Sequence, residues 1–430
     1  MIYYITTNGI GNAWVAAELE IMDRKGVPYT LHSLRAPHQN FFSSEWSSEL
    51  NRKTHLIYPL PPLGLILSVM AAPFLFGPRF LAVLWNAFTG KRESNRARAA
   101  GIAHAFVACH WARGLRGQDV SLIHAQWIQS SGTVGMYGAW LLGAPFSFTG
   151  HAADLFRERA ALEDKVRRAD FIVCISSFHR DFYKKHGALE SQLHTVYCGI
   201  DPDHFEVQRR RRGDAPPRIL SVGRLVEKKG FEVLIDACKV LHDRGMAFEC
   251  VIAGDGPLET SLRERIARSG LDSCVSVTGA ALLQDDLPGF LATGDVFAQP
   301  CVWARDNDVD GTPRTLMEAM SCGVPSISTN LVGIPDVIED GRSGLLVEPG
   351  DAAQLADAIE KVVRNPALAD RLAEGGRARV EQVFRIDDCL EPLAELFRAR
   401  LKAPNFVEGP PAGMTRRREA GSARGTHNLK

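Results

Sequence analysis

Short apolar runs alternate with helical stretches along this chain, and the alternation is played out twice with a polar break between. Ile2 to Thr6, Tyr29 to Ser33, Ser121 to His124, Phe146 to Thr149, Phe171 to Ile175 and Leu193 to Tyr197 read as strands. Ala13 to Lys25, Thr133 to Leu142 and Ser177 to Lys185 read as helices between them. The stretch from Gln208 to Pro217 is rich in charge, Gly and Pro, and reads as a linker. The pattern then restarts. Arg218 to Val222, Glu249 to Ala253, Val275 to Val277, Val296 to Gln299 and Leu345 to Val347 are strands, with helices over Phe231 to Arg244, Asp285 to Leu291 and Thr315 to Ser321. Strand–helix alternation implies parallel sheets joined by right-handed crossovers. At 430 residues, two such domains are expected. The expected division is 1–205, 206–385, a helix over 386–403 and a tail over 404–430. Ile386 to Lys402 is amphipathic, while the tail is rich in Gly, Pro and Arg with few apolar residues, a composition that stays disordered.

Fifty basic and fifty acidic residues cancel, so no overall field points to nucleic acid. Nine cysteines, with no C-x-x-C pair, fit reduced thiols in the cytoplasm better than a disulfide framework. Met1 to Thr6 lacks a basic leader and reads as a strand.

Four strand-end loops are candidates for chemistry, because ligands of open α/β sheets bind at the carboxyl ends of strands. The loop Thr7 to Asn12 carries Gly9 and Gly11 but has Trp14 at the third glycine position, so it is not a dinucleotide fingerprint. Gly11 there serves either a tight turn or the close approach of a substrate. The loop Thr149 to Asp154 places His151 among small residues. In the second half, Gly223 to Gly230 carries Arg224 and Lys229, two cations that can stabilise a departing diphosphate without a metal; Lys228 reads as solvated. The stretch Gly294 to Thr329 reads strand, loop, helix, strand. Gly311 and Thr312 lead into a helix whose free amides can take an anion, while Asp310 and Glu318 can accept hydrogen bonds from sugar hydroxyls. Asp306 and Asp308 have the spacing of a metal-using Asp-x-Asp, but not its setting.

From Tyr58 to Pro78 there is no charge. The length approaches a membrane span, yet Pro59, Pro61, Pro62, Pro73 and Pro78 argue against a regular spanning helix. A one-sided basic run follows, including Arg79, Lys91, Arg92, Arg96 and Arg98. The alternatives are an apolar acceptor cleft, plain core, or a surface that meets an anionic bilayer.

The run Leu316-Met317-Glu318-Ala319-Met320, the Gly223-Arg224 to Lys229-Gly230 loop, the His151 loop, Gly254-Asp255-Gly256 and the Cys198 to Phe205 segment together resemble retaining glycosyltransferases of the GT-B fold, group 1 (family 4) type. The loop around Ala304-Arg305 and Asp310-Gly311-Thr312-Pro313 resembles bacterial colanic-acid and exopolysaccharide enzymes. The family's first Glu is Asp310 here, one methylene shorter. The resemblance implies two Rossmann-like domains facing across a cleft. It implies that Arg224 and Lys229 hold the donor phosphates, that Glu318 holds the ribose, and that Asp310 and His151 orient the donor sugar; His124 matches more weakly. It further implies a hexosyltransferase working without metal or cofactor. The donor would be a nucleotide-diphosphate sugar such as a UDP-sugar, and the acceptor a lipid-linked saccharide at the inner face of the cytoplasmic membrane. A GT-B-like phosphorylase or epimerase and a binding protein without catalysis are the alternatives.

Overall fold

The computed structural model describes residues 1–11, 13–37, 45–152, 155–156, 160–206, 213 and 215–402. Asn12, Asp154, the arginines of the linker and the 404–430 tail lie outside the described residues.

Two parallel sheets form, one per half. The first contains β1 (Ile2–Thr6), β2 (Tyr29–Ser33), β3 (His55–Leu56), β4 (Leu122–Gln126), β5 (Phe146–Thr149), β6 (Phe171–Cys174) and β7 (Leu193–Thr195), ordered 3-2-1-4-5-6-7. The second contains β8 (Arg218–Val222), β9 (Glu249–Ala253), β10 (Val275–Val277), β11 (Val296–Gln299), β12 (Ser326–Thr329) and β13 (Leu345–Val347), ordered 10-9-8-11-12-13. In each, the order reverses beside the first strand, between β1 and β4 and between β8 and β11. Crossovers leave in opposite directions there and open a crevice at the strand ends, which is where such folds bind ligands. The central strands are buried on both faces, as Ile2–Thr6 is throughout its length, while the edge strand His55–Leu56 is exposed.

The last helical segment returns to the first half. Leu393, Ala394 and Phe397 of helix Glu391–Lys402 join the core around Ile2, Tyr4 and Leu122, with the Phe397 ring 5.5 Å from that of Tyr4. The sequence suggests one continuous helix from Ile386; the structure breaks it at Leu390 into Ile386–Cys389 and Glu391–Lys402. Pro392 explains the break, because its ring displaces the carbonyl four residues earlier and it has no N–H to donate.

The uncharged stretch becomes two short helices, Pro62–Phe76 and Pro78–Thr89, divided at Gly77 (φ +55°). No described helix is long and apolar enough to cross a membrane. Both pack on helix Asn95–Leu115, capped by the Ser94 hydroxyl accepting from the Ala97 N–H at 3.0 Å.

The halves meet at a seam of small residues. A Cβ on Gly333 would come within 2.6 Å of Ser176 Cβ, so only glycine permits this approach. Asp336 accepts from both the Ser177 N–H and hydroxyl at 2.6 Å, capping helix Ser177–Lys185 of the other half. The Trp303 and Phe156 rings add an edge-on contact at 5.1 Å.

Candidate active site

The cation loop lies against the acidic loop because Gly230 allows it. Gly230 sits at φ +70°, and a Cβ there would fall 1.7 Å from the Pro300 carbonyl oxygen just after β11. That approach carries the 3-10 turn Glu227–Lys229 onto the loop that follows β11, with the Val302 N–H donating to the Lys228 carbonyl at 3.0 Å. Lys229 Nζ stands 2.6 Å from Asp310 Oδ2. Lys228 Nζ lies 3.2 Å from both Asp310 Oδ1 and Asp308 Oδ2, so this lysine is an ion-pair bridge and not the solvated side chain that the sequence suggests. Asp310 Oδ2 has no well-directed hydrogen bond despite its short distance to Lys229, so the contact is mainly electrostatic. Burial raises the Asp310 carboxyl, but the two ammonium groups outweigh it and the net shift is downward. Burial likewise lowers Lys229 and its neighbours, Asp310 first, reverse the shift to a net rise.

Glu318 is buried on helix Arg314–Ser321. Desolvation pushes its carboxyl up, opposed by Arg314, Gln284, Lys229 and His204. Arg314 Nε is 4.0 Å from Glu318 Oε1, a loose contact that leaves Nε without a hydrogen bond. The structure therefore gathers Lys229, Asp310 and Glu318 within electrostatic reach of one another. Arg224 shares the loop of Lys229 but is exposed and makes no ion pair among the described residues. Thr312 is half-buried just ahead of the helix.

Gly311 joins this cluster to the other half. A Cβ there would lie 3.3 Å from His179 Cε1 and 3.8 Å from Ala152 Cβ, so the residue next to His151 faces the residue next to Asp310. His151 packs against both Trp14 and Trp127 in a triangle of tilted rings, with ring centroids at 3.9 and 4.7 Å, and its Nε2 is 3.4 Å from Gln126 Oε1. Gln126 donates to Glu18, which also accepts from the Tyr4 hydroxyl at 3.1 Å. Burial, helped by His179, pushes His151 well below its ordinary value, so the imidazole is neutral. Burial pushes Glu18 up to about 7. The conformation of Gly11 is accounted for by its own turn: its N–H donates to the Asn8 carbonyl at 3.0 Å, and a Cβ would lie 2.9 Å from that oxygen. His124 is a sheet residue with both ring nitrogens engaged, by Ser147 at 2.8 Å and Thr149 at 3.2 Å.

His179 is a residue the sequence reading passed over. It is fully buried, its Nδ1 lies 2.6 Å from the Ser176 hydroxyl, and its Nε2 has no partner. Burial pushes it down to about 3. The neutral ring thus presents an Nε2 with no partner among the described residues at the seam, with its Cε1 facing Gly311. The signal was present: His179 follows a strand end, as His151 does. Glu18 and Gln126 gave no such signal, since each reads as an ordinary helix or strand residue. No group of three or more His, Cys, Asp or Glu side chains among the described residues could hold a metal ion.

Residues 22–204 match the family model described as Glycosyltransferase Family 4, and residues 204–379 the one described as Glycosyl transferases group 1. The chain is similar to the amylovoran biosynthesis glycosyltransferase AmsK of Erwinia amylovora, at 34% identity over 252 residues, or 57% of this chain and 62% of that protein. It is 34% identical over 236 residues to the putative colanic acid biosynthesis glycosyltransferase WcaL of Escherichia coli, covering 54% of this chain and 57% of that one. The chain thus spans about three fifths of the length of these relatives. Among solved structures, Anabaena HepE in complex with UDP superposes with a TM-score of 0.69 at 16% identity, over 93% of this chain and 99% of that chain. A Rickettsia africae glycosyltransferase gives 0.68 at 15% identity, over 94% and 99%. At these identities the likeness is one of fold: two Rossmann-like domains in the GT-B arrangement.

Proposed function

From a chain that belongs to the family 4 and group 1 glycosyltransferases, we propose an enzyme of exopolysaccharide or glycolipid assembly. It moves a hexose from a nucleotide-diphosphate sugar to a lipid-linked saccharide on the inner face of the cytoplasmic membrane, with retention at the anomeric carbon. A UDP-sugar is the favoured donor, because solved structures of HepE contain UDP and UDP-glucose. The observation that carries the reading is the cluster of partly buried Lys229 and Asp310 with buried Glu318, set at the strand ends against the other half.

In the reaction, the bond from the anomeric carbon to the phosphate oxygen breaks as the acceptor oxygen bonds to the same face. The acceptor's proton passes to the departing phosphate. Charge grows on the diphosphate, and preorganised cations stabilise that growth. Lys229 and Arg224 take this role without a metal, Gly311 and Thr312 lead the helix amides to the diphosphate, and Glu318 accepts from the ribose hydroxyls. Asp310 and His151 orient the sugar, with His151 acting as a neutral ring. The donor diphosphate competes with Asp310 for Lys229, which frees the carboxylate to meet a sugar hydroxyl.

One observation favours a second reading. Asp310 is held by Lys228 and Lys229, and a chain locked in that pairing is a binding protein without catalysis. Thermal shift against UDP, GDP, ADP and their sugars tests the main reading, since a ligand of the native state raises the melting temperature. A rise with one nucleotide, together with slow hydrolysis of its sugar, is expected. A rise without hydrolysis or transfer selects the binding protein, and no rise with any nucleotide overturns both.

A further inference from the structure

The other end of the first sheet, remote from the seam, carries two features that the transfer reaction does not use. The first is apolar. Helices Pro62–Phe76 and Pro78–Thr89 bury Ala72, Phe76 and Val83 against the core, yet their outer faces are apolar as well. Met70 is 68% exposed, Phe74 91% and Trp85 72%, with Leu63, Ile66 and Leu81 beside them on the same helix faces. A soluble helix normally turns polar residues outward, and a helix apolar all round belongs in a core or at a membrane.

The second feature is a cavity of roughly 1300 Å³ that begins where the hairpin turns, at Leu75, Phe76, Pro78 and Arg79. Its floor is the chain entering β4, β5 and β6, at Ser121, Pro145 and Asp170. Its charged lining is five arginines against one acid: Arg79, Arg116, Arg167, Arg168 and Arg400 against Asp170. Asp170 is paired with Arg400, and the Arg168 guanidinium lies 3.2 Å over the Trp140 ring. Arg167 pairs with the buried Asp164 and keeps 69% of its side chain in solvent. Arg116 is exposed and makes no ion pair among the described residues. Guanidinium groups are suited to phosphate, which they bind through paired N–H donors.

We propose that this end of the domain docks on an anionic bilayer, with the outer faces of the Pro62–Thr89 hairpin lying in the lipid interface and the arginine-lined cavity receiving a lipid phosphate headgroup. Both features are needed, because shallow apolar insertion is reversible and gains firmness from basic residues near the anionic surface. The occupant is a lipid and not a soluble anion, because the cavity opens beside the exposed apolar face of the hairpin, which carries Phe74, the most exposed large apolar side chain among the described residues. This inference rests on the proposed function's placement of the chain at a membrane face, and its test reads binding without any sugar transfer.

The test is co-sedimentation of the full chain with vesicles of phosphatidylcholine, alone or mixed with phosphatidylglycerol. Wild type is expected to bind the mixed vesicles about tenfold better than the neutral ones, and to lose that preference in high salt. Arg116→Glu with Arg167→Glu should fall to the neutral-vesicle level. Met70→Glu with Phe74→Glu should lose binding to both. Met70, Phe74 and Arg116 face solvent and make no ion pair among the described residues, so unchanged melting temperatures are expected of changes there, and Arg116→Glu alone carries the arginine test where loss of the Arg167–Asp164 pair lowers the double variant's; brominated lipid chains quenching wild-type tryptophan fluorescence give a readout that needs no variant. Equal binding to both vesicles, indifference to the arginine changes, or no quenching overturns the proposal. So does glycerophosphate binding as tightly as vesicles do, or a dimer dispersed by Trp85→Glu that ignores vesicles.

Discussion

The two halves of the molecule bring groups in opposite charge states to the seam. In the amino-terminal half the buried histidines are neutral, although Arg92 and Asp164 form a buried ion pair elsewhere in that half: burial pushes His32, His124 and His179 down to about 3 and His104 to about 4, and His151 falls well below its ordinary value. Glu18 is pushed up to about 7, the same tendency in a carboxyl group. In the carboxyl-terminal half the partly buried groups at the site are charged and matched, Lys228 and Lys229 raised by Asp310 while Asp310 is lowered by them. One wall of the seam is thus apolar, aromatic and uncharged, and the other is an ion-pair cluster. The difference fits a division of labour in which one side excludes water and donates neutral hydrogen bonds while the other answers a diphosphate's charge.

Acid is the strongest way to break this comparison. A histidine kept neutral by folding takes a proton on unfolding below about pH 6.5, so its contribution is lost as pH falls from there toward its folded value of about 3. For His32, His124 and His179 the loss between pH 7 and 5 is roughly 2 kcal/mol each. Glu18 works the other way. Its folded value lies above its unfolded one, so its contribution is complete below about pH 4.5 and disappears as pH rises through about 7, which returns roughly one histidine's worth at pH 5. The net loss is several kcal/mol, confined to the first half. The paired Lys228, Lys229 and Asp310 titrate outside this window and leave the second half intact. Hydrogen exchange at pH 7 and pH 5 should show β1, β4 and β5 deprotected while β8 and β11 stay protected. Equal deprotection of both halves would count against the contrast.

Lys229→Ala probes the charged wall. Loss of one preorganised charge contact costs at least about 100-fold in turnover, and the same is expected of Glu318→Ala. Lys229→Ala also leaves Asp310 buried with only Lys228 beside it. Adding Asp310→Ala should recover stability but not rate, which separates the structural share of the ion pair from its catalytic share. Unchanged turnover in Lys229→Ala removes the assignment.

Much of this contrast was legible in the sequence. The strands Ile2–Thr6 and Arg218–Val222 stand out because each is an apolar run closed by a glycine loop, and both form with the expected bounds. Helix Asn95–Leu115 escaped notice because its buried face is made largely of Gly101, Ala105, Ala108 and Ala112, which carry little hydrophobic signal. No spanning helix forms between Tyr58 and Pro78, yet Pro73 sits inside a helix without breaking it, and Pro62 and Pro78 start helices, where a missing N–H costs nothing. At the site, Lys229 and Asp310 could be singled out by residue type. Their 2.6 Å pairing could not, since it depends on Gly230 meeting Pro300 across β8 and β11, a contact between residues seventy positions apart. His179 could likewise be singled out by its place after a strand end, but its meeting with Gly311 of the other half could not.

The smallest expected effect lies where the two halves are joined. Asp336 accepts two hydrogen bonds from Ser177, doing for a helix of the other half what a capping side chain does for its own. A helix cap contributes roughly 1 kcal/mol, so Asp336→Ala should weaken the closed arrangement by that amount, about fivefold. Because the contact touches neither the cations nor the histidines, the donor KM is expected to rise about fivefold at unchanged kcat, with a larger radius of gyration in solution scattering. Ser177→Ala removes the hydroxyl contact and keeps the N–H, so its effect should be smaller and in the same direction. A fall in kcat at constant KM would mean that the latch sets the chemistry itself, and that the neutral and charged walls are coupled more tightly than their separate electrostatics require.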